Sequence, residues 1–214
     1  MRSSSRLVVL AVAAVVLTAA EARAAGVDFK DPRRALGRQD DIRVDAQLAQ
    51  DTLSSSSPLS VTYQIQNLSN APIAVADRVC GASFDSDTET ITISIGAEIP
   101  QGTAMPHLVV IAAGQTRAFR AGAMVPVAGV TARSPWARVP RTVQITVNVL
   151  RDLKPFATLI DQQAHAVSVP LPNDLLDQWA DSVSSVELNT LPVRWTSSPR
   201  TGTAEASAAR GGGF

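Results

Sequence analysis

Asp85-Ser86-Asp87-Thr88-Glu89 is the stretch whose residue types come closest to chemistry. In extended backbone its three carboxylates project to one side, spaced by about 6.5–7 Å. Folded into a loop, Asp85, Asp87 and Glu89 with neighbouring carbonyls form a candidate set of oxygen ligands for calcium, a hard cation. The EF-hand pattern requires a Gly at position six and a distal Glu, and Thr90 and Ile91 break it. A solvated acidic loop leading into a strand is therefore the preferred reading, with no resident cofactor beyond that calcium candidate.

Two histidines, His107 and His165, are available for proton transfer near neutral pH. His107 follows Pro106 where a strand begins, and His165 lies four residues after Asp161. Neither belongs to an HExxH, a GxSxG or another nucleophile–base motif, so no catalytic residue is assigned and the chain reads as a non-enzyme. The single cysteine, Cys80, cannot make an internal disulfide. It reads as a small hydrophobe, although Arg78 nearby would favour a thiolate. Trp136, within Arg133-Ser134-Pro135-Trp136-Ala137-Arg138, offers an interaction loop of Arg133, Trp136 and Arg138, residue types enriched in binding hot spots. The competing role for Trp136 is to fold back and cover one end of the domain. Asn67-Leu68-Ser69 matches a glycosylation sequon but sits in a tight turn, and chance is the better account.

These groups need a scaffold, and the hydropathy pattern describes one. Leu59, Val61, Tyr63 and Ile65 alternate with Ser60, Thr62, Gln64 and Gln66, as on a strand with one wall in a core and one in water. Asn67 to Pro72 then turns the chain, and Ile73 to Ala76 begins a return strand. Ile42 to Leu48, Thr88 to Ile95 and Val143 to Val149 alternate in the same way. Leu108 to Ile111 is a further strand. Ala113-Gly114-Gln115 reads as a tight reversal, after which Thr116 to Ala121 pairs back with Ala118 or Phe119 inward. Asp77 to Asp87 and Gly122 to Pro140 read as long loops. Ala166 to Val169 suggests another strand, and Asn173 or Asp174 caps a short helix with Leu175, Leu176, Trp179 and Val183 on its apolar face. Val186 to Trp195, broken by Pro192, reads as an edge strand.

At 214 residues and 45% apolar content the chain suits one packed domain. Residues 1–24 read as a cleaved signal peptide: Arg2 and Arg6, an apolar run from Leu7 to Ala20, and Ala22-Arg23-Ala24 for cleavage. Without them 16 basic and 18 acidic residues remain, no footprint for nucleic acid or an anionic membrane. The mature form is expected to carry no transmembrane segment, and an outer-membrane barrel is rejected because its strands and aromatic girdles are missing. Residues 25–40 read as a flexible N-terminal arm, 41–195 as the folded domain with a C-terminal extension, and 196–214 as a disordered tail.

The run SVTYQIQNLSNAPIAV, a hydrophobic strand after it, and LVVIAAGQTRAF resemble the immunoglobulin-like or fibronectin-III-like domains of exported bacterial proteins. In those domains a strand ending in Asn-x-Ser turns at a Pro, and a Gly-centred turn precedes a later strand. The resemblance spans residues 40 to 150 and lacks the Cys–Trp–Cys signature of antibody-type domains. It implies an all-β fold: a single antiparallel sandwich of about seven to nine strands with a short C-terminal helix. The expectation is a secreted or periplasmic non-enzymatic protein that binds or supports an envelope protein or glycan, by loops at one sandwich end or by strand addition at an edge. The alternatives are an assembly factor resembling periplasmic pilus chaperones, which have two sandwiches and basic anchors in their cleft, and a metal-dependent or hydrolytic enzyme without a recognisable motif.

Overall fold

The computed structural model describes residues 31–54, 57–100, 104–126, 138–166 and 168–196. Its strands are β1 (Arg34–Gln39), β2 (Ile42–Leu48), β3 (Thr52–Leu53), β4 (Leu59–Asn67), β5 (Ile73–Ala76), β6 (Cys80–Asp85) and β7 (Thr90–Ile95). They continue as β8 (Leu108–Ile111), β9 (Thr116–Ala123), β10 (Thr142–Leu150), β11 (Val183–Glu187), β12 (Leu191–Pro192) and β13 (Arg194–Trp195). The helices are α1 (Ala157–Gln163), preceded by a 3-10 turn at Lys154–Phe156, and α2 (Asp174–Ser182). The fold is all-β, and α2 lies where the sequence placed a helix, except that Val183, expected on its apolar face, instead opens β11 and pairs with Leu150.

One sheet runs β1-β2-β4-β9 and is antiparallel throughout. The second is built around β10, which pairs with β7 along one edge and with β11 and β12 along the other. It continues through β6 beside β7, and through β5 and β8. The inward residues of the two sheets form one core: Val44, Tyr63 and Ile65 from the first meet Ile91, Ile93, Ile145 and Val147 from the second. Strict alternation of buried and half-exposed positions along β4 and β7 follows from their period-two pattern.

A second apolar layer lies on the other side of the β10 sheet. Ala74, Ala76, Met105, Leu108 and Leu150 pack there against Phe156, Leu171 and Trp179. The Trp179 ring meets Phe156 edge-on at 5.3 Å, and its Nε1–H donates to Ala97 O at 3.1 Å. The helical segments therefore complete the sheet's burial, and β11 adds a full strand to it.

Several expectations are corrected. The arm expected over 25–40 supplies β1 instead: Ala35 is fully buried, and Asp40, in the left-handed region at φ 50°, turns β1 into β2. The Asp77 to Asp87 loop contains β6, whose Cys80, Ala82 and Phe84 pack against the core. After the Gly114 turn (φ 72°) the chain does not pair back on itself. Here β8 joins β5 in one sheet and β9 joins β4 in the other, because Phe119 stacks on Tyr63 at 5.2 Å. The sandwich is not purely antiparallel, since β7 and β10 run parallel from Thr90↔Thr142 to Ile95↔Val147. The strand segments number more than nine because three are only two residues long and β1 and β6 were not anticipated. No strand covers the described part of Ala166 to Val169, where Met105 N donates to Val169 O beside the single bridge Ala104↔Pro170. A second helix, α1, was not expected. The proposed signal peptide and the tail beyond Thr196 lie outside the described residues.

Two sheet edges are partly capped, at Leu36 of β1 and at Leu108 and Val110 of β8. Asn189 takes Leu36 N on its Oδ1 at 2.6 Å and donates its own N–H to Leu36 O at 2.9 Å, masking β1. Gln163 accepts Leu108 N at 3.1 Å and Arg117 donates to Val110 O at 3.1 Å, masking β8. Capped edges of this kind oppose the addition of a foreign strand.

Candidate functional site

The parallel pairing of β7 with β10 sets Thr142 beside Thr90, their hydroxyls 2.9 Å apart. It thereby lays the segment leading into β10 against the turn leading into β7. Two features that the sequence kept fifty residues apart, the acidic run and Arg138, meet at this end of the sandwich.

Asp85 closes the β6–β7 hairpin. Its Oδ1 accepts Asp87 N at 2.8 Å and its Oδ2 accepts the Thr88 hydroxyl at 2.9 Å. These bonds favour the ionised form and hold the Asp85 carboxyl below its usual range. Glu89 lies in the left-handed region at φ 53°, and its carboxylate meets Arg141 Nε at 2.6 Å. Arg141 N also donates to Glu89 O at 2.9 Å. Arg138 Nη1 reaches Ser86 O at 3.4 Å and Asp87 O at 3.3 Å. The turn's oxygens are thus largely committed to its own hydrogen bonds and to two guanidinium groups. Among the described residues no three His, Cys, Asp or Glu side chains converge as a metal-ligand set, Asp85, Asp87 and Glu89 included. Arg133 and Trp136 lie outside the described residues.

The other candidates are dispersed. His107 Nδ1 lies 2.9 Å from Asp77 Oδ1 on the approach to β8. His165 is exposed just past α1, its N–H bonded to Gln162 O. Cys80 is half-buried at the start of β6. Burial pushes its thiol up, opposed in part by a hydrogen bond from the Gly122 backbone, which accords with a small hydrophobe rather than a thiolate activated by Arg78. Beside it the fully buried Tyr63 has a hydroxyl without a partner, and burial raises the phenol well above its ordinary value. The sequon residue Asn67 is wholly buried: its Nδ2 donates to Ala71 O and Ile111 O, and its Oδ1 accepts from Ser69. Both amide protons are spent, which leaves nothing for a glycosyl transfer.

Sequence reasoning overlooked Arg141, the partner of Glu89, and the polar cluster around Asp45. Asp45 is buried on the outer face of the β1-β2-β4-β9 sheet, 2.8 Å from Arg34 Nη2, 3.3 Å from Arg43 and 3.2 Å from Gln64 Nε2. A lone Asp within β2 was the only available signal. No protein-family model matches the sequence, and no curated protein matches it.

Proposed function

We propose that this chain is a secreted or periplasmic, non-enzymatic binding or structural component of a cell envelope. Its recognition surface is the sandwich end that carries residues 85–89 and 138–141, and its partner is an envelope protein or glycan. The observation that carries this reading is the clasp of Arg138 and Arg141 on the acidic turn. The clasp holds a loop cluster in one shape before any partner arrives, and a preorganised loop end loses less freedom on binding. The capped edges of β1 and β8 favour recognition through loops over strand addition there. The Asp87 carboxylate, without a protein partner among the described residues, is left to face that partner.

A photo-reactive side chain placed at Asp87, and in a control at Gln178 on the exposed face of α2, tests the reading in intact cells. The expected result is one discrete adduct from position 87 and none from position 178. No adduct at 87, or equal labelling from both positions, overturns it.

A further inference from the structure

A groove of about 670 Å³ opens on the outer face of the β1-β2-β4-β9 sheet, lined among others by Ser60, Thr62, Arg120, Gly122, Ala49 and Pro58. Cross-strand register explains its composition. Ser60 faces Gly122 and Thr62 faces Arg120 across the β4–β9 ladder, and all four point away from the core. Gly122 carries no side chain where one would stand 3.5 Å from Ser60 Oγ, so the space in front of that hydroxyl stays open. On the β1–β2 side of this face Asp45 is engaged with Arg34, Arg43 and Gln64. Ser60, Thr62 and Arg120 by contrast have no side-chain partner among the described residues.

We propose that this groove binds a carboxylated saccharide, with Arg120 on the carboxylate and the Ser60 and Thr62 hydroxyls on ring hydroxyls. A guanidinium presents a planar fork that matches a carboxylate. Hydroxyl side chains both donate and accept, as sugar hydroxyls require. Ala49 and Pro58 supply a small apolar wall for ring C–H groups. The groove is separate from the loop end described above and does not depend on it.

Titration of the purified protein with D-glucuronate, with D-glucose as the neutral control, tests the proposal through backbone amide shifts. Glucuronate at millimolar concentration is expected to move the amides of residues 60, 62, 120 and 122, and glucose to move them far less. Arg120→Gln is expected to weaken glucuronate binding at least about tenfold, the loss of one charge-assisted pair. Gly122→Val, whose added Cβ makes only ordinary contacts, is expected to fill the groove and abolish binding while the melting temperature is kept. Equal shifts from glucose, shifts confined to residues outside the groove, or unchanged affinity in folded Arg120→Gln would each overturn the assignment. So would the absence of any shift.

Discussion

The side-chain amide of Asn67 at the end of β4 donates to the carbonyl of Ile111 at the end of β8, 3.0 Å away, and so ties one sheet to the other. The same amide holds Ala71 O while its oxygen takes the backbone and hydroxyl of Ser69. Asn67→Ala leaves two carbonyls and a serine without their partner in a buried corner. The expected loss is about 3 kcal/mol, read from the midpoint of urea unfolding at constant slope. Asn67→Asp is expected to be worse, because a carboxylate then faces two carbonyl oxygens.

Gly37 and Gly81 make a contrasting pair. A β carbon on Gly37 would collide with the Glu187 carbonyl, where β1 lies against β11. Gly81 has open space at the same position. Gly37→Ala is expected to destabilise by about 1–3 kcal/mol, as overpacking does. Gly81→Ala is expected to stabilise by about 0.5 kcal/mol, because glycine is a poor strand residue. Thermal melts of the two variants side by side check both signs.

Trp179 separates packing from hydrogen bonding in the outer layer. Trp179→Ala removes the ring that covers Phe156 and should cost about 3–5 kcal/mol. Trp179→Phe keeps much of that contact but orphans the Ala97 carbonyl, at a cost of about 1–2 kcal/mol. Urea unfolding followed by far-ultraviolet circular dichroism distinguishes the two.

The Asp31 carboxyl is held far below the usual carboxylate range, first by the Arg33 side chain and then by the Arg33 backbone N–H, with Gln47 adding a further bond. A depressed folded-state pKa contributes stability that is present above the unfolded value of 3.8 and is lost as the pH falls below it. Asp31→Asn is therefore expected to be less stable than the parent at neutral pH. The difference narrows steadily as acid is added below that value. Stability curves at several pH values read this convergence, and a constant offset would contradict it.

Strict period-two hydropathy made β4, β7 and β10 legible, because each buries one complete face. The α2 helix was legible from its polar start and its spacing of Leu175, Leu176 and Trp179. The strand β1 was not, since only Ala35 of its six residues is fully buried and its neighbours are half or wholly exposed. In β6 the alternation of Cys80, Ala82 and Phe84 was present but diluted by small residues. The α1 helix buries none of its residues fully and so carries almost no periodic signal. At the candidate site the residue types were visible, but their meeting was not. Arg138 and Arg141 reach Ser86, Asp87 and Glu89 only through a parallel pairing between segments distant in sequence, and periodicity is silent on pairing.

The position of β10 has a consequence for the order in which the chain acquires its shape. Its two longest pairings are with residues 90–95 and 183–187, whereas β1, β2 and β4 are joined by short local connections. The local sheet can assemble early on a growing polypeptide, but the second must wait for distant segments to arrive, and such non-local pairing is slow. A chain that stops short of Val183 leaves Thr146 to Leu150 with a bare hydrogen-bonding edge beside apolar side chains. Truncated or nicked molecules should therefore clump rather than stay monomeric.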